Sequence, residues 1–389
     1  MSSPWHLVKA GLLRVHSIIG LVLALVLAVV GITGATMSFE DEIVAALNRG
    51  LTHVEPRQAP MLTPDQLIAG LQAPYNLDKV SAVTMTGDAA TAVHLRFART
   101  GEGARPSSVY VDPYDGRVLG SPRGEDFFST VRKLHRWLLL PGDGNGYGRT
   151  ITGMTALGLI TMLISGVVLR WPRRARSVKA WLKPELALRG RGLYRSLHTV
   201  VGTWVLPVYL VMTLTGLWYS FAWYKDGARW LLARPSATAA PMQKKPPRGA
   251  AADAEALGFD RAWSTVLHEQ GGRFATAQLT LQAGGVVRVR SWARDASLES
   301  VRDEFRIDAA SGRLVSSEIY ADKTLGERAL AGVLDIHRGS VLGWPGRLLF
   351  MLAAALMPLF VVTGLLLYLS RRRVRRMAQM AQGRLVPGE

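Results

Sequence analysis

The chain has no cysteine among its 389 residues. That excludes disulfide staples, thiolate-held iron–sulfur clusters and covalent c-type haem attachment. Acidic side chains are also few, 29 Asp and Glu against 47 Lys and Arg, for a formal charge of +18. A surplus of that sign raises the question of nucleic acid, yet no nucleic-acid motif and no interleaving of basic with aromatic residues accompanies it. Also missing is a Gly-x-Gly-x-x-Gly turn between a strand and a helix, so no nucleotide-binding domain is legible.

Apolar residues are plentiful, at 49% of the chain, with a mean hydropathy of +0.15. They concentrate in four stretches, Ile18–Met37, Ile151–Trp171, Val200–Ala222 and Leu348–Leu369. Each has about 20 residues, the length of a helix that crosses a ~30 Å hydrocarbon core. No Asp, Glu or Lys interrupts them, and the one Arg, Arg170, closes the second. Charge at mid-bilayer is costly, so this emptiness is what a span requires. The first stretch has the basic start of a signal peptide, but its apolar run is long for one and its pattern recurs later in the chain.

Lys and Arg cluster beside the span ends. Arg170, Arg173, Arg174, Arg176, Lys179, Lys183, Arg189, Arg191 and Arg195 surround the loop between spans two and three, against one acid, Glu185. The run Arg371-Arg372-Arg373-Val374-Arg375-Arg376 follows span four, and Lys9 and Arg14 precede span one. Positive flanks mark the cytoplasmic side and meet anionic lipid. Residues 1–39 therefore read as a cytoplasmic start and first span, 172–196 as a cytoplasmic loop and 371–389 as a cytoplasmic tail. The intervening stretches 40–126 and 223–324 read as outer modules. Residues 127–171 and 325–370 read as a short interfacial helix plus a span, and 197–222 as the third span.

The chain repeats itself. Arg14-Val-His16-Ser-Ile-Ile-Gly20 matches Arg195-Ser-Leu-His198-Thr-Val-Val-Gly202, and the same distance beyond each histidine lie Thr33-Gly34…Ser38-Phe39 and Thr215-Gly216…Ser220-Phe221. Asp112…Gly116-Arg117 matches Asp308…Gly312-Arg313, and Lys133-Leu-His135-Arg136 matches Asp335-Ile-His337-Arg338. Ser165-Gly166 and Thr363-Gly364 lie near the ends of spans two and four. The pattern predicts a parallel tandem repeat with both halves in one orientation. Each outer module reads as a helix followed by strands: Thr63-Pro64 as a helix start, Ala92–Phe97 and Ser108–Asp112 as strands, then a helix near Ala254–Glu269 and strands near Ala277–Gln282, Val286–Ser291 and Glu304–Asp308. Pro235–Ala251, rich in Pro, Ala and Lys, reads as a linker. The expected fold is an α-helical membrane protein with four transmembrane helices and two α+β modules.

Four of the eight histidines fall into the repeat: His16 and His198 at the cytoplasmic ends of spans one and three, His135 and His337 on the segments Phe127–Leu140 and Leu325–Leu342 before spans two and four. A lone interfacial histidine is ordinarily a satisfied polar side chain. Two at each face, in register, suit the axial ligation of b-type haem between helices. A metal ion without porphyrin needs three or four clustered ligands, and no carboxylate repeats beside these pairs. Arg14, Arg195, Arg136 and Arg338 stand beside the histidines and suit haem propionates through charge-assisted hydrogen bonds, although interfacial arginines also snorkel to lipid. Gly20 and Gly202 suit either a close porphyrin or helix packing. Trp137, Tyr147, Trp218, Tyr219, Trp223 and Trp344 suit a belt at the membrane interface or the lining of a site.

These histidine–glycine span starts, Asp-x-x-x-Gly-Arg strand ends and His-Arg segments resemble the bacterial PepSY-associated transmembrane family, from Trp5 to Arg376. The resemblance implies PepSY-like modules in the periplasm and an inner-membrane protein with two haems. It points to the siderophore-reductase type, an oxidoreductase acting on ferric siderophore. Some relatives carry a fused reductase domain; here the electron donor is expected to be a separate quinol or cytoplasmic reductase. Two other readings stand beside this one: a PepSY regulator of a peptidase without redox chemistry, and an iron-chelate permease subunit. The second lacks a polar path through the spans.

Overall fold

The structure is a computed structural model that describes residues 4–72, 75, 80–98, 108–171, 176–233 and 258–383. The expected linker at 235–251 and the start of the helix expected at Ala254 lie outside those residues.

Runs of Leu, Val, Ile and Ala without interior charge give helices long and apolar enough to cross a membrane: Trp5–Met37, Tyr147–Arg170, Arg191–Ser220 and Ser340–Met380. They belong to one compact unit made of Met1–Phe39, Ser129–Gly227 and Val333–Glu389. Its interior gathers Leu27, Val205, Val208, Tyr209, Phe350, Ala353 and Met357. Val22, Leu25, Ile164 and Leu352 face outward, as helices in lipid require. Small residues bring the helices together: Gly31 lies against Met357 and the Ala354 carbonyl, and Gly158 against Leu23. Such close approach matters because lipid tails are as apolar as leucine, so van der Waals contact drives association.

The fourth span differs from the single helix expected. It runs as Gly343–Ala355 and then Met357–Gly383. Pro358 stands in the first turn of the second piece, where its missing N–H leaves no bond unmade. Beside the junction the Tyr209 hydroxyl donates to the Ala353 carbonyl at 2.7 Å. The segment expected as one helix over Leu325–Leu342 is likewise three short pieces, Leu325–Ala331, Val333–Arg338 and Ser340–Leu342. Gly332 and Gly339 end the first two, Gly339 at φ +74°, a left-handed cap that glycine adopts without a Cβ clash. Its counterpart is one continuous helix, Glu125–Trp137.

The second unit comprises Glu40–Phe128 and Ala228–Gly332. Its strands are β1 (Val80–Thr86), β2 (Val93–Phe97), β3 (Ser108–Val111), β4 (Val118–Gly120), β5 (Phe274–Gln282), β6 (Val286–Ala293), β7 (Asp303–Asp308) and β8 (Leu314–Glu318). The strands expected from sequence are present, but they do not form two separate modules. All eight make one antiparallel sheet in the order β4-β3-β2-β1-β5-β6-β7-β8. Each four-stranded half would leave β1 or β5 as a bare edge, and pairing them with each other removes both edges. Val83 faces Leu279 across that seam, and each pairs onward with the equivalent residue of its own half, Leu95 and Val289. The alternating apolar residues of both halves share one core with Leu67, Phe259, Ala262 and Val266 from the helices Pro64–Ala69 and Phe259–Gln270.

The Asp-x-x-x-Gly-Arg motifs are turns. In the first, the Asp112 carboxylate accepts from the Tyr114 amide and Gly116 takes φ +71°. In the second, Asp308 accepts from Ser311 and Gly312 takes the same φ. The helix start at Thr63 is a full capping box with Gln66. The two core helices also cap each other: the Asp260 carboxylate accepts from the Asp65 amide at 2.7 Å and the Thr63 hydroxyl at 2.6 Å, and the Asp65 carboxylate accepts from the Asp260 amide at 3.1 Å.

Burial, followed by the nearby Asp260 charge, raises the Asp65 pKa above its ordinary value. A raised carboxylate favours the fold at pH below its unfolded pKa and loses that contribution as pH rises through its folded pKa. Asp65→Asn keeps an oxygen for the Asp260 amide and removes the charge. The variant should therefore melt above wild type at pH 7, with the gap closing toward pH 4, in scanning calorimetry of the detergent-solubilised chain.

Candidate functional site

The four histidines singled out from the sequence come together in two pairs within the helical unit. His16 on span one faces His198 on span three, with ring centroids 6.3 Å apart and planes at 73°. His135 and His337, on the short helices that precede spans two and four, face each other at 6.4 Å and 72°. His6, His53, His94 and His268 join neither pair; His94 stacks on Tyr110 near Glu125 in the sheet.

Each imidazole is anchored by a hydroxyl from another helix. His16 Nδ1 lies 2.9 Å from Ser165 Oγ, His198 Nδ1 2.9 Å from Thr363 Oγ1, His135 Nδ1 3.0 Å from Thr33 Oγ1 and His337 Nδ1 2.8 Å from Thr215 Oγ1. Every one of these hydroxyls donates its proton to the carbonyl four residues earlier in its own helix: Thr161, Leu359, Val29 and Val211, at 2.6–2.7 Å. With its proton committed, a hydroxyl can only accept. Nδ1 of each histidine must then be the protonated nitrogen, which leaves the Nε2 lone pair free to act as a ligand. The Val30 carbonyl, 3.1 Å from His135 Nδ1, demands the same tautomer because a carbonyl cannot donate. Burial, then charged neighbours, lowers both His135 and His337 to a pKa of about 4, so both are neutral at pH 7 and their ligand nitrogens unprotonated.

The glycine after each hydroxyl borders the ring, and at Gly34 the missing Cβ makes room for it. A Cβ on Gly34 would stand 3.2 Å from His135 Cε1, and on Gly166, Gly216 or Gly364 it would stand 3.5–3.7 Å from the Cε1 of His16, His337 or His198. Gly20 and Gly202, by contrast, face Met162 and Phe360 of neighbouring helices, so they serve packing.

The pairs fit a bis-histidine metal centre in distance. An imidazole nitrogen binds a transition metal at about 2.0 Å and stands about 1.15 Å from its own ring centre, so one iron between two rings separates the centroids by about 6.3 Å. Among the described residues no three His, Asp or Glu gather as a metal-ion cage. A planar macrocycle that itself supplies the remaining ligands suits this donor set; a bare ion does not.

Arginines gather at both pairs. Arg136 lies within electrostatic reach of His135 and His337 and of Arg132, Arg149 and Arg338; its guanidinium sits over Trp137 and Tyr219 at 5.6 and 5.5 Å. Near the other pair Arg371 acts on both His16 and His198, with Arg191 and Arg375 close to it. Arg149 and Arg170 each keep a buried Nε with no acceptor. Such clusters suit an anionic group.

Of the arginines named from sequence, Arg136 and Arg338 stand at their pair. Arg195 is an exposed neighbour of Arg170, and Arg14 is exposed on span one; the guanidinium acting on the first pair belongs to Arg371. Tyr147, Trp223 and Trp344 are exposed, as interfacial belt residues are, whereas Trp137 and Tyr219 flank Arg136. Sequence reasoning missed the four hydroxyls as partners of the histidines, although the recurring Ser/Thr-Gly dipeptides were their signal.

No curated protein matches the chain. A family profile does, over residues 13–371, and its span takes in both histidine pairs and all four Ser/Thr-Gly dipeptides. This membrane-spanning protein belongs to the family of the PepSY-associated TM region.

Proposed function

We propose that the protein holds two b-type haems, one at each histidine pair, and passes electrons across a bacterial inner membrane to reduce ferric siderophore in the periplasm. The observation that carries this reading is the pair geometry: two facing imidazoles at the separation of shared iron ligation, each fixed as the tautomer with a free Nε2. When bound, haem supplies a one-electron carrier at either face. His16 with His198, and His135 with His337, would hold the two haems through their Nε2 atoms. Arg136 and Arg338 at the outer pair, and Arg371 with Arg170 and Arg195 at the inner, receive propionate charge.

Orientation follows the positive flanks, with both termini cytoplasmic and the sheet unit periplasmic. The matching strand order of the two sheet halves and the matching hydroxyl–histidine contacts of the two span pairs support a parallel tandem repeat. The redox balance is simple: one electron converts one Fe(III) in the chelate to Fe(II), which hard oxygen ligands hold far less well. A quinol donor releases two electrons and two protons and so serves two chelates; a cytoplasmic reductase is the other donor class. No proton transfer by the protein is required, and no catalytic acid or base is assigned.

Purified in detergent from haem-replete cells, the protein should show sharp low-spin b-type bands on dithionite reduction. His16→Ala or His198→Ala should remove about half of the haem, and His135→Ala or His337→Ala the other half. A colourless wild type would sink the reading.

Substitution beside the rings should be graded. Gly34→Ala, whose Cβ crowds His135 Cε1, should lower haem content at the outer pair. Gly216→Ala, at ordinary contact distance from His337, should leave it near wild type.

A further inference from the structure

The four hydroxyls are not equivalent in their surroundings. Behind Thr33, the carbonyl three residues earlier in the same helix also accepts from the histidine: the Val30 carbonyl lies 3.1 Å from His135 Nδ1. Among the described residues, His16, His198 and His337 each have a single hydrogen-bond partner at Nδ1, the hydroxyl. Three residues before Thr363 is Phe360, whose ring meets His198 edge-on at 5.6 Å. Among the described residues, the Thr363 hydroxyl is the one acceptor of His198 Nδ1.

We infer that Ser165, Thr33, Thr215 and Thr363 are positioning residues that fix the ligating nitrogen and the crossed ring planes of the two pairs, and that Thr363 does so without a second acceptor behind it. The inference rests on the haem reading. A donor–acceptor bond at the far nitrogen of a ligand histidine orients the ring and raises its basicity, and losing such a partner typically lowers metal affinity about 10–100-fold. At His135 the Val30 carbonyl would retain part of that bond after the hydroxyl is removed. His198 has no such reserve, so removal would leave a buried N–H without a partner, which costs more than the bond itself contributed. The ring is then released to rotate or to exchange its tautomer.

Crossed planes give the test a readout independent of activity. Imidazole planes near 90° leave the two π-type iron orbitals almost degenerate, which places the low-spin ferric resonance at high g; rings free to turn move it to lower g. The experiment uses the full-length chain purified from haem-replete cells, read by low-temperature EPR of the ferric form, redox titration and haem retention on gel filtration. Thr363→Val, which preserves shape, should shift the resonance of the inner pair to lower g, move its midpoint potential and reduce haem retention about 10-fold. Thr363→Ser should restore all three. Thr33→Val should give a smaller shift, because the Val30 carbonyl still accepts.

A Thr363→Val protein with wild-type spectrum and potential overturns the inference. So does a Thr363→Ser protein as impaired as the valine variant, since shape and not the hydroxyl would then matter. A Thr33→Val effect equal to that of Thr363→Val removes the special place given to Thr363. A wild type without haem overturns the haem reading itself, and is thereby distinct from a haem-bearing wild type that ignores the valine.

Discussion

A hydroxyl inside an apolar helix gives its proton to the carbonyl one turn back, because nothing else there can take it. The arrangement of the histidine pairs depends on that habit. Once Thr33, Ser165, Thr215 and Thr363 have donated along their own helices, their oxygens present only lone pairs. A neighbouring imidazole can then satisfy a buried Nδ1–H in one way. The bond between helices thus sets a tautomer, a ring orientation and a helix–helix contact together. In a low-dielectric surrounding an unsatisfied donor is expensive, so the arrangement is stiffer than one hydrogen bond in water would be. At Gly34 the absence of a Cβ also lets the His135 ring approach closely.

The two units solve different versions of the same backbone problem. In hydrocarbon, backbone polar groups must be satisfied within their own helix, and irregular points need local help. The junction at Leu356 receives it from Tyr209, and the chain turns at Gly332 and Gly339 end their helices with capping bonds. In the sheet unit the danger is the open edge. Pairing β1 with β5 merges two short meanders into one sheet and places Val83 against Leu279 at the middle. Reciprocal caps by Asp65 and Asp260 join the two core helices over it. The short edge strands β4 and β8 are all that remain unpaired on their outer sides.

Much of this was legible in the sequence, for identifiable reasons. Spans are readable because a charge-free run of about 20 apolar residues has few alternatives. His16, His135, His198 and His337 were readable because each recurs in register with a companion, whereas His94, equally buried in the sheet, has none. The strand segments were readable from alternation, but their union was not: the pairing of Ala82–Thr86 with Thr276–Thr280 joins segments far apart in the chain, and no periodicity encodes it. The hydroxyls were hidden by their commonness, since Ser or Thr beside Gly in a span reads as helix packing. Arg371 was hidden in a run of like residues whose orienting role was sufficient explanation. The breaks in the fourth span and in its preceding helix were marked by Pro358, Gly332 and Gly339, whose single-residue signals are weaker than the apolar pattern around them.

The charge around the pairs carries the argument one step further. Guanidinium groups repel, and the desolvated Nε atoms of Arg149 and Arg170 have no acceptor. Burial and the like charges of Arg132, Arg149 and Arg338 disfavour the charged form of Arg136. Snorkelling explains single arginines at a membrane surface, since each can extend to water separately. It does not explain why several converge on neutral histidines with free ligand nitrogens. An occupant that offers a metal to the imidazoles and carboxylates to the arginines resolves both costs at once. The haem of the proposed function offers that combination at either pair.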